Sequence, residues 1–169
     1  FFTNGSMTQN STRGSMSEPP VMNRNTENRG CFTLWEKLAA KSEDFGHPEK
    51  FVCDPDQSNF STLSVTVTDY PRLVKYIEEK SEVPIGTNGF ITFPDSPWFV
   101  QVNVPLQPAV PNQPDNVQYM IVWGLDPDKK GTYIKKRLPE CSGEEVLREF
   151  LYWCGLEDEM DEIVSHCMA

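Results

Sequence analysis

The sequence lacks several features that would assign it to a function class at once. No apolar stretch approaches the roughly 20 residues that a membrane-spanning helix needs. Neither GxGxxG nor GxxxxGK[ST] occurs, so a complete dinucleotide site and a P-loop are both missing. Only two histidines occur among 169 residues, and no group of possible ligands has metal-site spacing. These absences argue against a helical membrane span, a P-loop enzyme and a zinc-finger module.

Basic residues are also scarce. The chain has 15 Lys and Arg against 25 Asp and Glu, a net charge of −10. Without a basic stripe to neutralise phosphates, nucleic acid is not an expected partner. The same charge argues against non-specific attraction to anionic lipid but leaves peripheral membrane contact open. Lys135-Lys136-Arg137 is the one basic cluster; it could meet a carboxylate or a phosphate, although such clusters are usually solvated surface.

The five cysteines show neither CxxC nor metal-finger spacing, and their number is odd. They lie in or beside apolar patterns, which favours free, reduced thiols and a cytoplasmic location. They are Cys31, Cys53, Cys141, Cys154 and Cys167.

No catalytic residue can be assigned from these patterns. His47 lies in a Gly-His-Pro turn and is expected to bond within its own loop, and His166 should point away from its neighbour Cys167. The carboxylates of Glu144 and Glu145, and those from Glu157 to Glu162, are typical of helix N-termini and solvated faces. The aromatic content suits an apolar ligand cavity as well as an ordinary core.

Helix signals occur in four places. Thr33 with Glu36, and Ser142 with Glu145, form capping-box patterns ahead of apolar stripes. The first helix should end at Gly46 and Pro48, and the second at Gly155. A third helix, capped by Asp69 or Thr68, carries Leu73, Val74 and Ile77 on one face. A last helix, with Met160, Ile163, Val164 and Cys167 inward, should run to Ala169 without a C-cap.

Strand signals lie between these helices. Residues 63–67 alternate apolar and polar, and residues 90–93 and 98–102 form a hairpin around Pro94-Asp95-Ser96-Pro97. Residues 117–123 are apolar on both sides, which predicts the most central strand. Residues 132–134 are predicted to add a short strand, whereas four prolines exclude residues 105–116 from a central strand. The fold class is therefore α+β, an antiparallel or mixed sheet of about four strands with packed helices.

The N-terminal residues suggest a cut inside a larger fold. Residues 1–6 resemble the end of a buried strand that runs into an Asn4-Gly5 turn. Because small residues let the backbone approach a ligand closely, Thr3-Asn4-Gly5-Ser6 is the best local candidate for a binding site. Residues 7–30 have no period and are too long for an ordinary loop, so we expect them to be mobile or to pack against something absent.

Several separate stretches together resemble one family, the oleate hydratases, also called myosin-cross-reactive antigens. Their order and approximate spacing follow the family over nearly the whole chain; departures are Trp123, where tyrosine is common, and Arg137, where proline is common. The matching stretches are residues 2–8, 34–39, 45–51, 89–92, 95–98, 112–114, 122–125, 131–136, 140–145 and 150–152.

The resemblance implies an FAD-binding, Rossmann-type flavoprotein that adds water to the cis double bond of oleate-like fatty acids, giving hydroxy fatty acids. It implies a homodimer for the full-length enzyme. Its nucleotide loop and catalytic residues would lie outside this chain, so no catalytic or metal residue is assigned. The resemblance places Thr3, Asn4, Gly5 and Ser6 beside the flavin. Residues 1–6 would end a strand of the FAD domain, 7–30 would be a linker, and 31–169 would be an incomplete substrate domain.

Two alternatives remain open at this point. One is a non-catalytic fatty-acid-binding module from a truncated paralogue, and the other is a different FAD enzyme of the amine-oxidase or desaturase type. As an internal fragment of a hydratase, the 169-residue chain alone is expected to be inactive.

Overall fold

A computed structural model describes residues 7–25, 29–52, 54–87 and 89–169. The chain forms two compact units. The first comprises Val21–Asn59 with the described part of Phe1–Arg13, and the second comprises Gly14–Pro20 with Phe60–Ala169. Within the described ranges, no helix is both long and apolar enough to cross a membrane.

The first unit is helical. Its elements are α1 (Cys31–Ala39), α2 (Glu49–Val52) and α3 (Pro55–Ser58), with 3-10 turns at Met7–Asn10 and Glu43–Phe45. The ring of Trp35 packs on Phe32 and Phe51, with centroids 6.1 and 5.2 Å away.

The capping box predicted at Thr33 is wrong. Helix α1 begins three residues earlier than this cap predicts, after Gly30, whose φ of 57° makes the chain turn there without a side-chain cap. Thr33 therefore lies inside the first turn, and its buried hydroxyl has no hydrogen-bond partner. Glu36 instead pairs with Arg29 at 3.1 Å. The helix also ends before the predicted stop; Gly46, at φ 78°, closes the following 3-10 turn.

The second unit is built on a five-stranded sheet in which all neighbours are antiparallel. The spatial order is β2-β3-β4-β1-β5, so the strand predicted to be central, β4, is the middle one. The α+β class is confirmed, with one strand more than expected. The strands are β1 (Ser61–Thr68), β2 (Ile91–Phe93), β3 (Val100–Asn103), β4 (Val117–Gly124) and β5 (Cys167–Met168).

Three α-helices accompany this sheet: α4 (Arg72–Ser81), α5 (Gly143–Cys154) and α6 (Met160–Ser165). Neither Asp69 nor Thr68 caps α4, because Pro71 holds the N-cap position and offers no side-chain acceptor. Helix α6 is shorter than predicted. It ends at Ser165, and the chain then extends into β5, so Cys167 lies on a strand.

One apolar cluster forms the core of the second unit. The inward sides of β1, β3 and β4 contribute pairs of buried residues, and α4, α5 and α6 cover them. Completely or almost completely buried members include Val65, Val67, Leu73, Ile77, Trp98, Val102, Met120, Val122, Leu147, Phe150, Leu151 and Ile163.

The proline-rich segment 105–116 hydrogen-bonds to β4 mainly through its side chains. Gln107 accepts a hydrogen bond from the Tyr119 N–H at 3.1 Å and donates to the Tyr119 carbonyl at 2.9 Å. Gln113 in turn donates to Gln107 and to the Val117 carbonyl, both at 2.7 Å. Two glutamine amides thus supply the pairing that prolines cannot give to a central strand.

Residues 14–20, which we call the N-terminal strap, belong to the second unit. The carbonyls of Ser15 and Met16 accept hydrogen bonds from the first two backbone N–H groups of α5, at 2.8 and 3.1 Å. Part of the 7–30 segment, expected to be mobile or to pack on something absent, therefore packs within this chain. The strap is itself a turn, since Glu18 bonds back to Ser15 through both its N–H and its carbonyl.

Candidate functional site

The most unusual polar group in the described structure is the carboxylate of Glu149, on α5. Its residue is fully buried, at 0% exposure. It accepts hydrogen bonds from the backbone N–H groups of Thr132, Tyr133 and Ile134 at 2.7, 2.8 and 2.8 Å. A fourth, from the indole N–H of Trp153, measures 3.0 Å. Four donors therefore replace the water that this charge loses on burial.

The hydrogen bonds of the Glu149 carboxylate suit a group that holds a loop in place better than a group that transfers protons. Each oxygen of Glu149 accepts two hydrogen bonds: Oε1 from Thr132 and Trp153, and Oε2 from Tyr133 and Ile134. A general acid or base needs an oxygen within reach of the reacting atom, and here both oxygens are buried and occupied. The side chain instead fixes the loop Lys129–Arg137, which we call the anchored loop.

The strand predicted at residues 132–134 is wrong, and Glu149 gives the reason. Three successive backbone N–H groups converge on one carboxylate, an arrangement that an extended strand cannot make, since its N–H groups alternate in direction. The loop instead closes through a single bridge between Lys130 and Arg137 and through the Gly131 N–H, which donates to the Lys136 carbonyl at 2.8 Å.

Gly131 lies where the loop meets the core. A Cβ atom at this position would lie 2.7 Å from Oε2 of Glu149 and 2.9 Å from the ring of Trp98. Trp98 is 1% exposed, and its indole N–H donates to the Lys129 carbonyl at 2.9 Å. Glycine is thus required because the loop backbone presses against two buried side chains.

The anchored loop carries the predicted basic cluster on the surface. Lys136 bonds to Glu145 at 2.5 Å, which raises the pKa of the lysine and lowers the pKa of the glutamate. Arg137 bonds to Glu140 through two nitrogens, at 2.9 and 2.7 Å, and lowers the pKa of that carboxyl. Two of the three cationic groups are therefore already paired with carboxylates inside the chain.

An aromatic pair accompanies these charges. Tyr133, which is 44% exposed, stacks on Tyr152 of α5 with centroids 5.7 Å apart and planes 27° apart. Tyr152 meets Trp153 edge-on at 5.6 Å. The loop thus presents a fixed surface of one exposed aromatic ring beside paired charges.

Both histidines contact groups within the chain. His47 is an exposed turn residue whose Nδ1 lies 3.1 Å from Glu49. His166 Nδ1 lies 2.9 Å from the Thr68 carbonyl, and its ring lies 5.2 Å from that of Tyr70. No cluster of three or more His, Cys, Asp or Glu side chains capable of holding a metal occurs in the described part of the chain.

The cysteines in the described ranges are all free thiols, as predicted. Burial raises the pKa of Cys141 to about 12 and that of Cys167 to about 11, and it raises the pKa of Cys154 as well. Because the thiolate is the nucleophile, these three are inert at neutral pH. Cys53 lies outside the described residues.

Thr3, Asn4, Gly5 and Ser6, the predicted flavin-proximal residues, also lie outside the described residues, and their role stays a prediction. Two depressions among the described residues are open to solvent. One, of about 360 Å³, lies beside Glu36, Ala40 and His47, and the other, of about 330 Å³, lies beside Asp69 and His166. Neither depression has a glycine-rich backbone cradle, so neither fits an FAD molecule.

Comparison with known proteins agrees with the resemblance. The model of the MCRA family, the myosin-cross-reactive antigens, matches residues 1–169. An oleate hydratase of Streptococcus pyogenes serotype M49 (strain NZ131) is 36% identical over 172 residues, covering 98% of this chain and 29% of that protein. A linoleate hydratase of Lactiplantibacillus plantarum is 26% identical over 159 residues, covering 89% and 27% respectively.

These matches define the class of protein. The chain belongs to the MCRA family, whose compared members here are fatty-acid hydratases. It spans less than a third of the length of each of those two relatives.

Sequence reasoning missed Glu149 because one acidic residue on an amphipathic helix is ordinarily solvated. One signal was available. Glu149 lies three residues after Val146 and four before Trp153, so it borders the apolar stripe of α5 instead of opposing it.

Proposed function

We propose that this chain is an internal segment of an FAD-dependent fatty-acid hydratase. The enzyme would add water across the cis double bond of an oleate-like fatty acid and release a hydroxy fatty acid. In this proposal the active enzyme is a cytoplasmic homodimer with FAD as cofactor, and it is a hydro-lyase.

One observation carries the proposal. The similarity to the Streptococcus oleate hydratase extends over 98% of the chain at 36% identity, so it includes the framework and not one motif alone. Several residues of the matching stretches occupy packed positions. Gly131 and Trp98 meet at Glu149, Gly124 lies against Leu138, and Gln113 pairs beside β4.

In this proposal the segment supplies scaffold, not the reacting acid. Hydrating an unactivated alkene requires a strong, positioned acid and a dry apolar channel. Glu149 is buried but has both oxygens occupied, and the described depressions are open; both observations support a reacting acid supplied by residues outside this chain. Thr3, Asn4, Gly5 and Ser6 would approach the flavin, where small side chains let the backbone come close.

The experiment begins with the flanking genomic sequence. A glycine-rich nucleotide motif and an acidic motif upstream are expected. The longer protein should then convert oleate to a hydroxy acid detected by mass spectrometry, whereas the 169-residue chain with oleate and FAD should not. A longer protein that binds FAD but leaves oleate unchanged would contradict the proposal.

A second measurement distinguishes the proposed hydratase segment from a stand-alone fatty-acid-binding module. The 169-residue chain is titrated with a fluorescent fatty acid. Buffer without protein and heat-unfolded chain are the controls. Saturable binding, together with start and stop codons that bracket this segment in the genome, would support a stand-alone module and count against the hydratase segment.

A further inference from the structure

One edge of the sheet is only partly paired. Strand β1 runs from Ser61 to Thr68 and pairs with β4 along its whole length. On its other side it meets β5 only at Thr66 and Val67, opposite Met168 and Cys167.

The direction of the N–H and C=O groups along β1 shows which residues lack a described partner on the β5 side. The Thr68 N–H points toward the β5 side, where it donates to the His166 carbonyl at 2.9 Å, whereas the Asp69 N–H donates to Asn116 beside β4. Because the backbone groups of a strand alternate in direction, Ser64 and Thr62 face the same side as Thr68. No residue within the described ranges pairs with the N–H or carbonyl of either.

This edge also lacks the usual protection. Natural sheets guard an open edge with lysine, proline or a bulge, because unpaired N–H and C=O groups invite another strand. Residues 61–64 read Ser-Thr-Leu-Ser, without charge or proline, and both Thr62 and Ser64 are exposed.

The register of β5 indicates which strand fits. Met168 lies opposite Thr66 and the chain runs antiparallel to β1, so the first residue beyond Ala169 would stand opposite Ser64 and the third opposite Thr62. Ala169 itself packs against the core, which keeps the chain on this path. A straight continuation of β5 would meet both open positions in turn.

We propose that the open edge of β1 is completed by the polypeptide that follows Ala169 in the longer protein, as an extension of β5. This inference rests on the proposed function, in which the chain is one segment of a hydratase. The occupant is thus an intramolecular strand, and its main-chain groups pair with Thr62 and Ser64.

Residue-resolved hydrogen exchange tests the inference in the longer protein and in the 169-residue chain. In the longer protein the Thr62 and Ser64 amides should exchange at least about 100-fold more slowly than in the 169-residue chain. The Leu63 and Val65 amides, which face β4, are the matched controls and should be protected in both.

Two results would overturn the inference. Fast exchange of Thr62 and Ser64 in the longer protein, with Leu63 and Val65 protected, would show that the edge stays open. Protection of Thr62 and Ser64 in the 169-residue chain that rises with its concentration would assign the edge to a second copy. Activity is scored separately: protected amides in a protein that does not hydrate oleate would sink only the proposed function.

Discussion

Leu138 packs directly on the backbone of Gly124, at the end of the central strand. A Cβ atom at Gly124 would stand 2.1 Å from Cδ2 of Leu138, far inside van der Waals contact. Leu138 is 2% exposed and has little room to move. The end of β4 and the segment after the anchored loop can therefore pack this closely only because residue 124 has no side chain.

Replacing this glycine should destabilise the second unit. Gly124→Ala is expected to lower the free energy of unfolding by about 1–3 kcal/mol, as overpacking does in cores. Urea unfolding followed by tryptophan fluorescence measures the change. Leu138→Val removes a methylene group at the contact, so the double variant should lose less than the sum of the two single variants. Strict additivity would contradict the contact.

Removing the charge of Glu149 should loosen the anchored loop. In Glu149→Gln an amide NH₂ replaces one oxygen and faces N–H donors, so we expect a loss of about 2–3 kcal/mol in unfolding free energy. The Thr132, Tyr133 and Ile134 amides should also exchange faster. Glu144→Gln, in the first turn of the same helix, is the matched control: it loses only a partly exposed ion pair with Arg148, at 2.8 Å, and should cost under about 1 kcal/mol. Equal effects of the two variants would refute the anchoring role.

Removing the side-chain hydroxyl should change the unfolding free energy differently at the two capping-box sequences. Ser142 accepts a hydrogen bond from the Glu145 N–H and Glu145 bonds back, so Ser142→Ala should cost about 1 kcal/mol. Thr33 caps nothing, and Thr33→Val should leave the unfolding free energy nearly unchanged or slightly higher. Thermal unfolding monitored by circular dichroism distinguishes them, and a clear loss in Thr33→Val would restore the sequence-based interpretation.

The glutamine pairing beside β4 should matter more than its surface position suggests. Gln107→Ala would leave the N–H and carbonyl of Tyr119 without partners, at a cost of about 1–3 kcal/mol. Gln101→Ala is the control, because that amide bonds only to the Thr92 hydroxyl. Denaturant midpoints of both variants give the comparison, and similar midpoints would count against the pairing.

Alkaline pH should weaken the fold partly through Cys141. Its folded pKa, raised to about 12 from 9.0, keeps the thiol neutral in the native state, while the unfolded thiol ionises above pH 9. Its stabilising contribution is therefore complete below pH 9 and is lost as pH rises toward 12. Urea midpoints between pH 8 and 10.5 should fall less steeply in Cys141→Ala than in the unaltered chain. Parallel slopes would argue that this thiol contributes nothing.

Periodicity predicted the elements that face the core. The central position of β4 followed from apolar residues on both sides of one strand, and α5 followed from its capping box and Gly155. In each case local pattern and tertiary burial favour the same structure, which is where sequence reasoning is strongest.

Two of the errors, at Cys167 and at residues 132–134, arose where a distant partner decides the local structure. Cys167 continues a helical pattern, yet pairing with Val67 on β1 draws it into a strand. Residues 132–134 look extended, yet Glu149 gathers their N–H groups from another element. No local pattern reveals such partners, because each lies at least 15 residues away along the chain.

The N-terminal strap has a consequence for synthesis. Ser15 and Met16 leave the ribosome early, yet the α5 N–H groups that they accept belong to Gly143 and Glu144. At about 5–20 residues per second, the strap waits on the order of ten seconds for its partner. The strap therefore completes its hydrogen bonds only after α5 has been synthesised, and the second unit closes only after α5 has left the ribosome.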